Sequence, residues 1–325
     1  MRAVLCRALG DESGLTVVDL PSPPLRAGGV RIAVQAAGVN FADGLLIAGK
    51  YQEKQTPPFI PGFEVSGRVI EIAPDVVGVT PGERVLAVLD AGGFAEEVVA
   101  RVEDVHRLPS TMDWITAAGF PIVYGTSHHS LTAKAGLRGG ETLVVHGAAG
   151  GVGLSAVEIG HAQGATVIAI AGGPDKVAVA MEHGAHHGID YRTEDIREAV
   201  KALTGGRGAD VVYDPVGGAV FDASLRATAP NGRILSIGFA SGVVPQIPAN
   251  ILLVKNLTVI GYHWGAFRRL DPAALRHSFE TLFDWFEAGK LRPVVSRTLP
   301  LESAAEAISL LKGRQATGKL VLAVR

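Results

Sequence analysis

Two hydrophobic rhythms divide the chain. Over roughly the first 124 residues the apolar positions fall in short β-like stretches rich in Val and Gly, at 30–39, 65–72, 84–89 and 94–102. Turn signals separate them: Pro23-Pro24, Pro57-Pro58, Pro61-Gly62 and Pro81-Gly82. Such spacing, with little helical periodicity, predicts a compact β-rich unit. From about 125 the rhythm becomes strand-helix alternation. A short apolar strand at 141–146 precedes a helix at 152–163, closed by Gly164, which accepts positive φ without a Cβ penalty. A strand at 165–171, a helix at 175–183 closed by Gly184, a strand at 187–190 and a helix running to Leu203 follow. Thr193 and Asp195 suit the first turn of that helix. Three more strands lie at 209–213, 233–237 and 257–262, with the segments 218–229 and 248–255 between them. Six strands joined by crossovers predict a doubly wound parallel sheet covered on both faces.

Beyond 263 the pattern gives a helix at 271–288, a strand at 294–299, a helix at 303–312 and a last strand at 319–324. This tail is too short for a domain of its own. It is expected to return to the N-terminal unit, so that residues 1–124 with 263–325 form one domain and 125–262 an inserted one.

Candidate chemistry begins where the first strand of the second rhythm meets its helix. In TLVVHGAAGGVGLSAVEIG, Ala148, Gly150 and Gly153 form an A-x-G-x-x-G turn. Missing side chains let the backbone approach a pyrophosphate, and Gly153 lets helix and strand pack closely. Gly151 and Val152 open the helix, whose free N–H groups and positive dipole end favour phosphate charge. A dinucleotide is therefore the expected cofactor. The end of the second strand, where an NAD-preferring domain wants a carboxylate, reads Ala171, Gly172, Gly173, then Asp175 and Lys176. Small residues leave room for a 2′-phosphate that Lys176 can neutralise, with Tyr191, Arg192 or Arg314 available to help. NADPH is expected over NADH.

Composition narrows the classes further. The 41 glycines in 325 residues exceed the usual ~7%, and the turn at 147–153 accounts for part of the surplus. A net charge of −2 argues against nucleic-acid binding. No apolar run approaches the ~20 residues of a membrane span, so no membrane segment is expected. Arg7 interrupts the first apolar stretch and Asp11 and Glu12 follow, which excludes a secretory h-region and reads as cytoplasmic. The single cysteine, Cys6, rules out an internal disulfide framework and any all-cysteine metal cluster.

Taken together, several segments carry a specific resemblance. They are AAGVNFADGLLIAGKY at 36–51, PFIPGFEVSGRV at 58–69, GERV at 82–85, GAAGGVG at 147–153, DPVGG at 214–218, GRILSIGFASG at 232–242 and ATGKLVL at 316–322. In this order they resemble the medium-chain dehydrogenase/reductase superfamily, in its quinone oxidoreductase (zeta-crystallin-like) branch, over essentially the whole chain. The resemblance implies an α/β fold, a Rossmann domain inserted in a GroES-like catalytic domain, and NADPH-dependent reduction. It also separates this chain from the zinc alcohol dehydrogenases, which carry Gly-His-Glu where Gly62-Phe63-Glu64 stands and a cysteine where this chain has Val39-Asn40. With those ligand positions replaced, no zinc site is expected. The pairs His128-His129 and His186-His187 do not restore one, because adjacent side chains on a regular element diverge.

By the same resemblance, Asn40, Asp43, Tyr51 and Thr126 line the nicotinamide end, while Phe239 and Lys319 contact the cofactor. Asn40 and Thr126 can hydrogen-bond an amide or carbonyl. Related enoyl-thioester reductases place a tyrosine at the position of Tyr51 as proton donor; an aromatic wall is the other reading of this residue. Glu64 and Asp43 read as structural. His263 and Trp264 read as pocket, interface or core.

Hydride transfer without a Lewis acid needs an acceptor that is already electrophilic. The first reading is a quinone reductase and the second an enone or enoyl-thioester reductase. A third is a non-catalytic NADPH-binding protein with a structural or RNA-binding role. The strand at 256–262 is an apolar sheet edge, and family members pair it across a two-fold axis, which implies a homodimer.

Overall fold

The computed structural model describes all 325 residues, and the chain divides into two compact units, Met1–Ile122 with Pro293–Arg325 and Val123–Arg292. Elements are numbered in chain order. The chain opens with an antiparallel pair, β1 (Arg2–Cys6) and β2 (Leu15–Asp19), in which Cys6 is buried. Then follow β3 (Gly29–Val39), helix α1 (Phe41–Ile47), β4 (Glu64–Ile72), β5 (Arg84–Val88), β6 (Glu97–Arg101), β7 (Val105–Arg107) and α2 (Trp114–Ala118).

Helix α3 (Pro121–His129) spans the boundary and leads into the second unit: β8 (Thr142–His146), α4 (Gly151–Ala162), β9 (Thr166–Ala171), α5 (Pro174–Glu182), β10 (His187–Asp190) and α6 (Ile196–Leu203). It continues through β11 (Ala209–Asp214), α7 (Ala219–Ala227), β12 (Thr228–Ser236), α8 (Ala249–Lys255), β13 (Thr258–Gly261), α9 (Trp264–Leu270) and α10 (Pro272–Glu287). The return segment supplies β14 (Val295–Pro300), α11 (Ala304–Lys312) and β15 (Lys319–Ala323) to the first unit.

In the first unit, one seven-stranded sheet runs β14-β15-β3-β4-β5-β7, with β6 pairing β3 as well. Strand β3 is the centre of this sheet and is nearly continuously buried, which is why its sequence GVRIAVQAAGV carries so few polar residues. Its C-terminal half lies between β15 and β4, with Gly38 paired to Val321 on one side and to Glu64 on the other. That register brings the starts of β4 and β15 to the end of β3.

The second unit is built on a parallel sheet of order β10-β9-β8-β11-β12-β13. Counted within the unit, this is 3-2-1-4-5-6, the doubly wound Rossmann arrangement, and the winding reverses between β8 and β11. Strands β8, β9 and β11 are apolar throughout their middles because helices cover both faces. Helix α4 approaches the sheet so closely that a Cβ on Gly160 would meet Leu143 Cδ2 at 2.5 Å. Gly164 follows it with φ 78°, as its place at the helix end requires. The Asp195 side chain caps α6 by accepting the Glu198 N–H at 2.9 Å. Strand β13 is the outer edge of the sheet, and Leu253 and Val254 of α8 are 79% and 80% exposed.

One expected boundary moves. The segment 263–292 belongs to the second unit, not to the returning tail, so the junction expected at 262/263 lies at 292/293. The reason is packing: α10 buries Leu275, Phe279 and Leu282, and its Ser278 Oγ sits 2.7 Å from His128 Nδ1 of α3. Trp264 lies against Gly125 of α3, where a Cβ would meet the indole at 2.7 Å. Also absent from the sequence reading were α1, α2 and α9, helices short enough to escape a periodicity argument, and α3, which is buried at every position but Ile122 and so carries no amphipathic period.

Candidate active site

The second unit contains the cradle the sequence points to. Gly147 turns the chain off β8 with φ 59°, and Gly150 stands at the N-cap of α4. The first intrahelical bond is Leu154 N–H to Gly150 O at 2.8 Å, so the N–H groups of Gly151, Val152 and Gly153 have no acceptor within the helix. A Cβ on Gly153 would lie 2.1 Å from Gly147 O, whereas one on Gly150 would meet the same atom at an ordinary 3.4 Å. Gly153 is therefore needed for the fold of the turn, and Gly150 keeps its outer face bare. Ala148 is fully buried beneath it. These residues fit a pyrophosphate.

At the end of β9, Gly172 and Gly173 meet the residues that follow β10. A Cβ on Gly172 would touch the Tyr191 hydroxyl at 2.6 Å, and one on Gly173 the Arg192 Nη1 at 3.0 Å. Lys176 follows in the first turn of α5. The sequence reading missed Asp190 here. Its Oδ1 accepts the N–H groups of Gly173 at 2.9 Å and Arg192 at 3.0 Å, and these amides hold its carboxyl below the usual range. Asp190 thus shapes the turn that presents the small, cation-flanked rim. The Phe239 ring lies on the turn after β11, where a Cβ on Gly217 would meet it at 3.0 Å.

Two further residues at this sheet edge were also missed. His146 ends β8 and Asp214 ends β11, side by side at the reversal of strand order, and His146 Nδ1 and Asp214 Oδ2 are buried without a hydrogen-bond partner. His146 Nε2 is 2.6 Å from Ser224 Oγ, and burial pushes its pKa down to about 4 against the pull of Asp214. Asp214 Oδ1 accepts the N–H groups of Val216 and Gly217, fixing the turn on which Phe239 rests. Polar residues at the ends of apolar strands were the available signal. Thr126, on α3, is buried in the same unit.

The first unit holds a buried polar cluster where β15, β3 and β4 meet. Lys319 Nζ donates to Glu64 Oε1 at 2.7 Å, Asn40 Oδ1 at 2.8 Å and Val39 O at 2.8 Å. All three ammonium hydrogens are thereby taken. Asn40 Nδ2 donates to Glu64 Oε1 at 2.8 Å, and Glu64 Oε2 accepts the Ile122 N–H at 2.8 Å. Gly38 makes the room, since a Cβ there would lie 2.3 Å from both Glu64 Oε1 and Ala118 O. Asp43, fully buried in α1, accepts the N–H groups of Asn40 at 2.8 Å and Gly62 at 3.0 Å. Tyr51 is half-buried nearby in sequence, its ring 5.2 Å from that of Phe63. Arg314 is exposed in the turn after α11, with φ 55°.

Burial raises the Asp43 carboxyl from its ordinary 3.8 to about 7, helped by Glu64 and opposed by the Asn40 and Gly62 amides and the Lys319 ammonium. The folded protein then holds a proton that the unfolded chain has released. Stability contributed by this group is complete below about pH 4 and falls as pH rises to about 7. The difference in unfolding free energy between wild type and Asp43→Asn should accordingly shrink from pH 4 to 7 and level off above. Urea titrations across that range measure it, and a difference that stays flat or grows contradicts the assignment.

Histidines expected to diverge do so. His128 Nδ1 faces Ser278, whereas His129 Nδ1 is 2.7 Å from the Tyr262 hydroxyl, and burial lowers both pKa values, that of His128 to about 4. No group of three or more His, Cys, Asp or Glu side chains is placed to hold a metal ion. No helix is long and apolar enough to cross a membrane.

Comparison with known proteins places this geometry in a family. The alcohol dehydrogenase GroES-like domain model matches residues 26–110, and the model described as zinc-binding dehydrogenase matches residues 151–288. The quinone oxidoreductase-like protein 2 homolog of Nematostella vectensis is 43% identical over 325 residues, covering 99% of this chain and 88% of the relative. A 2-haloacrylate reductase of Burkholderia is 34% identical over 319 residues, 94% of this chain and 92% of its own. The crystal structure of Escherichia coli quinone oxidoreductase complexed with NADPH superposes with a TM-score of 0.93 at 27% identity, covering 100% of both chains. With a GroES-like unit, a Rossmann sheet and relatives of this similarity along its whole length, the chain belongs to the medium-chain dehydrogenase/reductase superfamily, in its quinone oxidoreductase-like branch.

Proposed function

We propose that this protein reduces an electrophilic small molecule, a quinone in the first reading, at the expense of NADPH. The observation that carries this is the cradle at 147–153 together with the rim of Gly172, Gly173, Lys176, Tyr191 and Arg192, which offers amides and cations where a pyrophosphate and a 2′-phosphate would lie. The Escherichia coli enzyme of the same fold is complexed with NADPH. Bound NADPH supplies a hydride. The chain's own residues supply position and polarity: Ala148, Gly150, Gly151, Val152 and Gly153 hold phosphate through the backbone, and Phe239 walls the sheet edge. Thr126 and Asn40 offer hydrogen bonds to a carboxamide or to the acceptor's carbonyl oxygen.

Chemistry without zinc is part of this reading. Both oxygens of Glu64 are committed to Lys319, Asn40 and Ile122, and Phe63 beside it has no donor atom to offer a cation. An acceptor that accepts hydride without a Lewis acid is then required, which favours quinones and α,β-unsaturated carbonyls over simple ketones. Reduction to the hydroquinone needs a second hydrogen as a proton, for which the Tyr51 phenol and water are the sources. The similarity to a 2-haloacrylate reductase favours a conjugated carboxylic acid or carbonyl as the second reading.

The test is NADPH oxidation followed spectrophotometrically with quinones, enals, enoyl thioesters and 2-haloacrylate, in parallel with NADH. Quinone-dependent turnover with NADPH is expected, and Lys176→Ala should raise the KM for NADPH about tenfold while leaving that for NADH unchanged. Oxidation with none of these acceptors overturns the reductase reading, and equal NADPH affinity in the two proteins overturns the role of Lys176.

A further inference from the structure

Asn40 is tied at every polar atom it has. Its backbone N–H goes to Asp43 Oδ2 at 2.8 Å and its backbone O accepts the Asp43 N–H at 3.0 Å. Its side-chain oxygen lies on the Lys319 ammonium and its side-chain nitrogen on the Glu64 carboxylate, each at 2.8 Å. Turning the amide over would press an NH2 against an ammonium and an oxygen against a carboxylate, two mismatches in a buried site. The flip is forbidden.

We propose that the buried Lys319–Glu64 pair is a positioning device for the Asn40 carboxamide, leaving one Nδ2 hydrogen in a fixed place for the reacting ligand. This rests on the reductase reading with Asn40 at the reacting end. Lys319 is then a positioning residue and not a direct contact, since none of its three hydrogens is left to give. A stability role alone does not account for the pair. Apolar residues of similar volume generally serve a core as well as a buried ion pair does. Yet the chain makes space for this one twice, with Gly38 against Glu64 and with Gly119, where a Cβ would crowd Lys319 Cβ at 3.3 Å. An ammonium that spans Val39 O, Asn40 Oδ1 and Glu64 Oε1 reads the oxygen end of the amide, and the carboxylate reads the nitrogen end.

The experiment is a cycle on Asn40. Glu64→Gln/Lys319→Met removes both charges together and leaves no unpaired ion. It should lower kcat for NADPH-dependent quinone reduction by about tenfold to a hundredfold, as misplacement of a reacting-end group does, with the KM for NADPH within about twofold of wild type. In an Asn40→Ala background the same pair of substitutions should change kcat by less than about twofold, because the group it positions is gone. A full loss in that background, or no loss when Asn40 is present, overturns the proposal. Lys319→Arg, which keeps the charge but not the three-way reach, provides a second variant if the double one fails to fold; the same loss and the same dependence on Asn40 are expected. Hydrogen exchange of the Asn40 side-chain amide, assigned by its disappearance in Asn40→Ala, needs no turnover. It should be slow in wild type and fast in the double variant or in Lys319→Arg, and unchanged exchange in the variant that folds overturns the proposal even if no acceptor is reduced.

Discussion

Gly153→Ala should eliminate NADPH binding and destabilise the second unit, whereas Gly150→Ala should leave the fold intact and still weaken the cofactor. The two glycines look equivalent in the sequence and differ in what surrounds them. A methyl on Gly153 would lie 2.1 Å from Gly147 O, 2.7 Å from Gly147 C and 2.9 Å from Ala148 Cα, all backbone atoms that no rotamer change can move. Helix α4 would have to lift off the turn, and overpacking of this kind costs about 1–3 kcal/mol or more. A displacement near 1 Å at the phosphate cradle should lower NADPH affinity at least about a hundredfold. A methyl on Gly150 finds its nearest neighbour at 3.4 Å and is tolerated by the free protein, yet it projects where the backbone must approach phosphate. Fluorescence titration with NADPH and urea denaturation separate the cases. Normal affinity in Gly150→Ala would show that the cradle is not where the phosphates lie.

Lys319→Met should be the most destabilising single change in the first unit. Glu64 is fully buried, and its partner's ammonium lies 2.7 Å away with a 6% exposed side chain. Removing one member of a buried pair typically costs about 3–5 kcal/mol, because the remaining charge has no solvent and no counter-ion. The double variant Glu64→Gln/Lys319→Met removes both charges and should recover most of that loss. Trp114 reports on this unit, since the other two tryptophans, Trp264 and Trp285, belong to the second one. Its fluorescence transition in urea should shift to markedly lower concentration in Lys319→Met and return towards wild type in the double variant. Equal midpoints in wild type and Lys319→Met would mean that the Glu64 charge is compensated elsewhere.

Much of this molecule was legible before any fold was known, and the reasons are local. The strands of the second unit are short apolar runs bounded by glycine, and the helices between them carry their own stop signals, such as Gly164 and Gly184. The A-x-G-x-x-G turn is a contiguous string whose meaning depends on one strand and one helix, both adjacent to it. The alternation of strands and helices, the glycine-rich turn and the family resemblance therefore followed from neighbouring residues. The junction at 262/263 failed for the opposite reason: helix 272–287 is equally amphipathic wherever it docks, and only its contacts with α3 assign it to the second unit.

The polar cluster shows the limit most clearly. Asn40, Glu64 and Lys319 are separated by 24 and 255 residues along the chain, and each stands at the tip of an apolar strand. Read singly, Glu64 is a structural carboxylate and Lys319 a cation available to a cofactor. Only the register of β15 and β4 on β3 places the ammonium on the carboxylate and both on the Asn40 amide, using every lysine hydrogen. The sequence alone determined most of the strands and longer helices, the glycine-rich turn between the first strand and helix of the second unit and which family the chain resembles, because those depend on periodicity and on contiguous turns. The tertiary structure decided which buried charges meet, what each hydrogen bond leaves free and where the second unit ends, because strand register and helix docking are set by contacts between residues far apart in the chain.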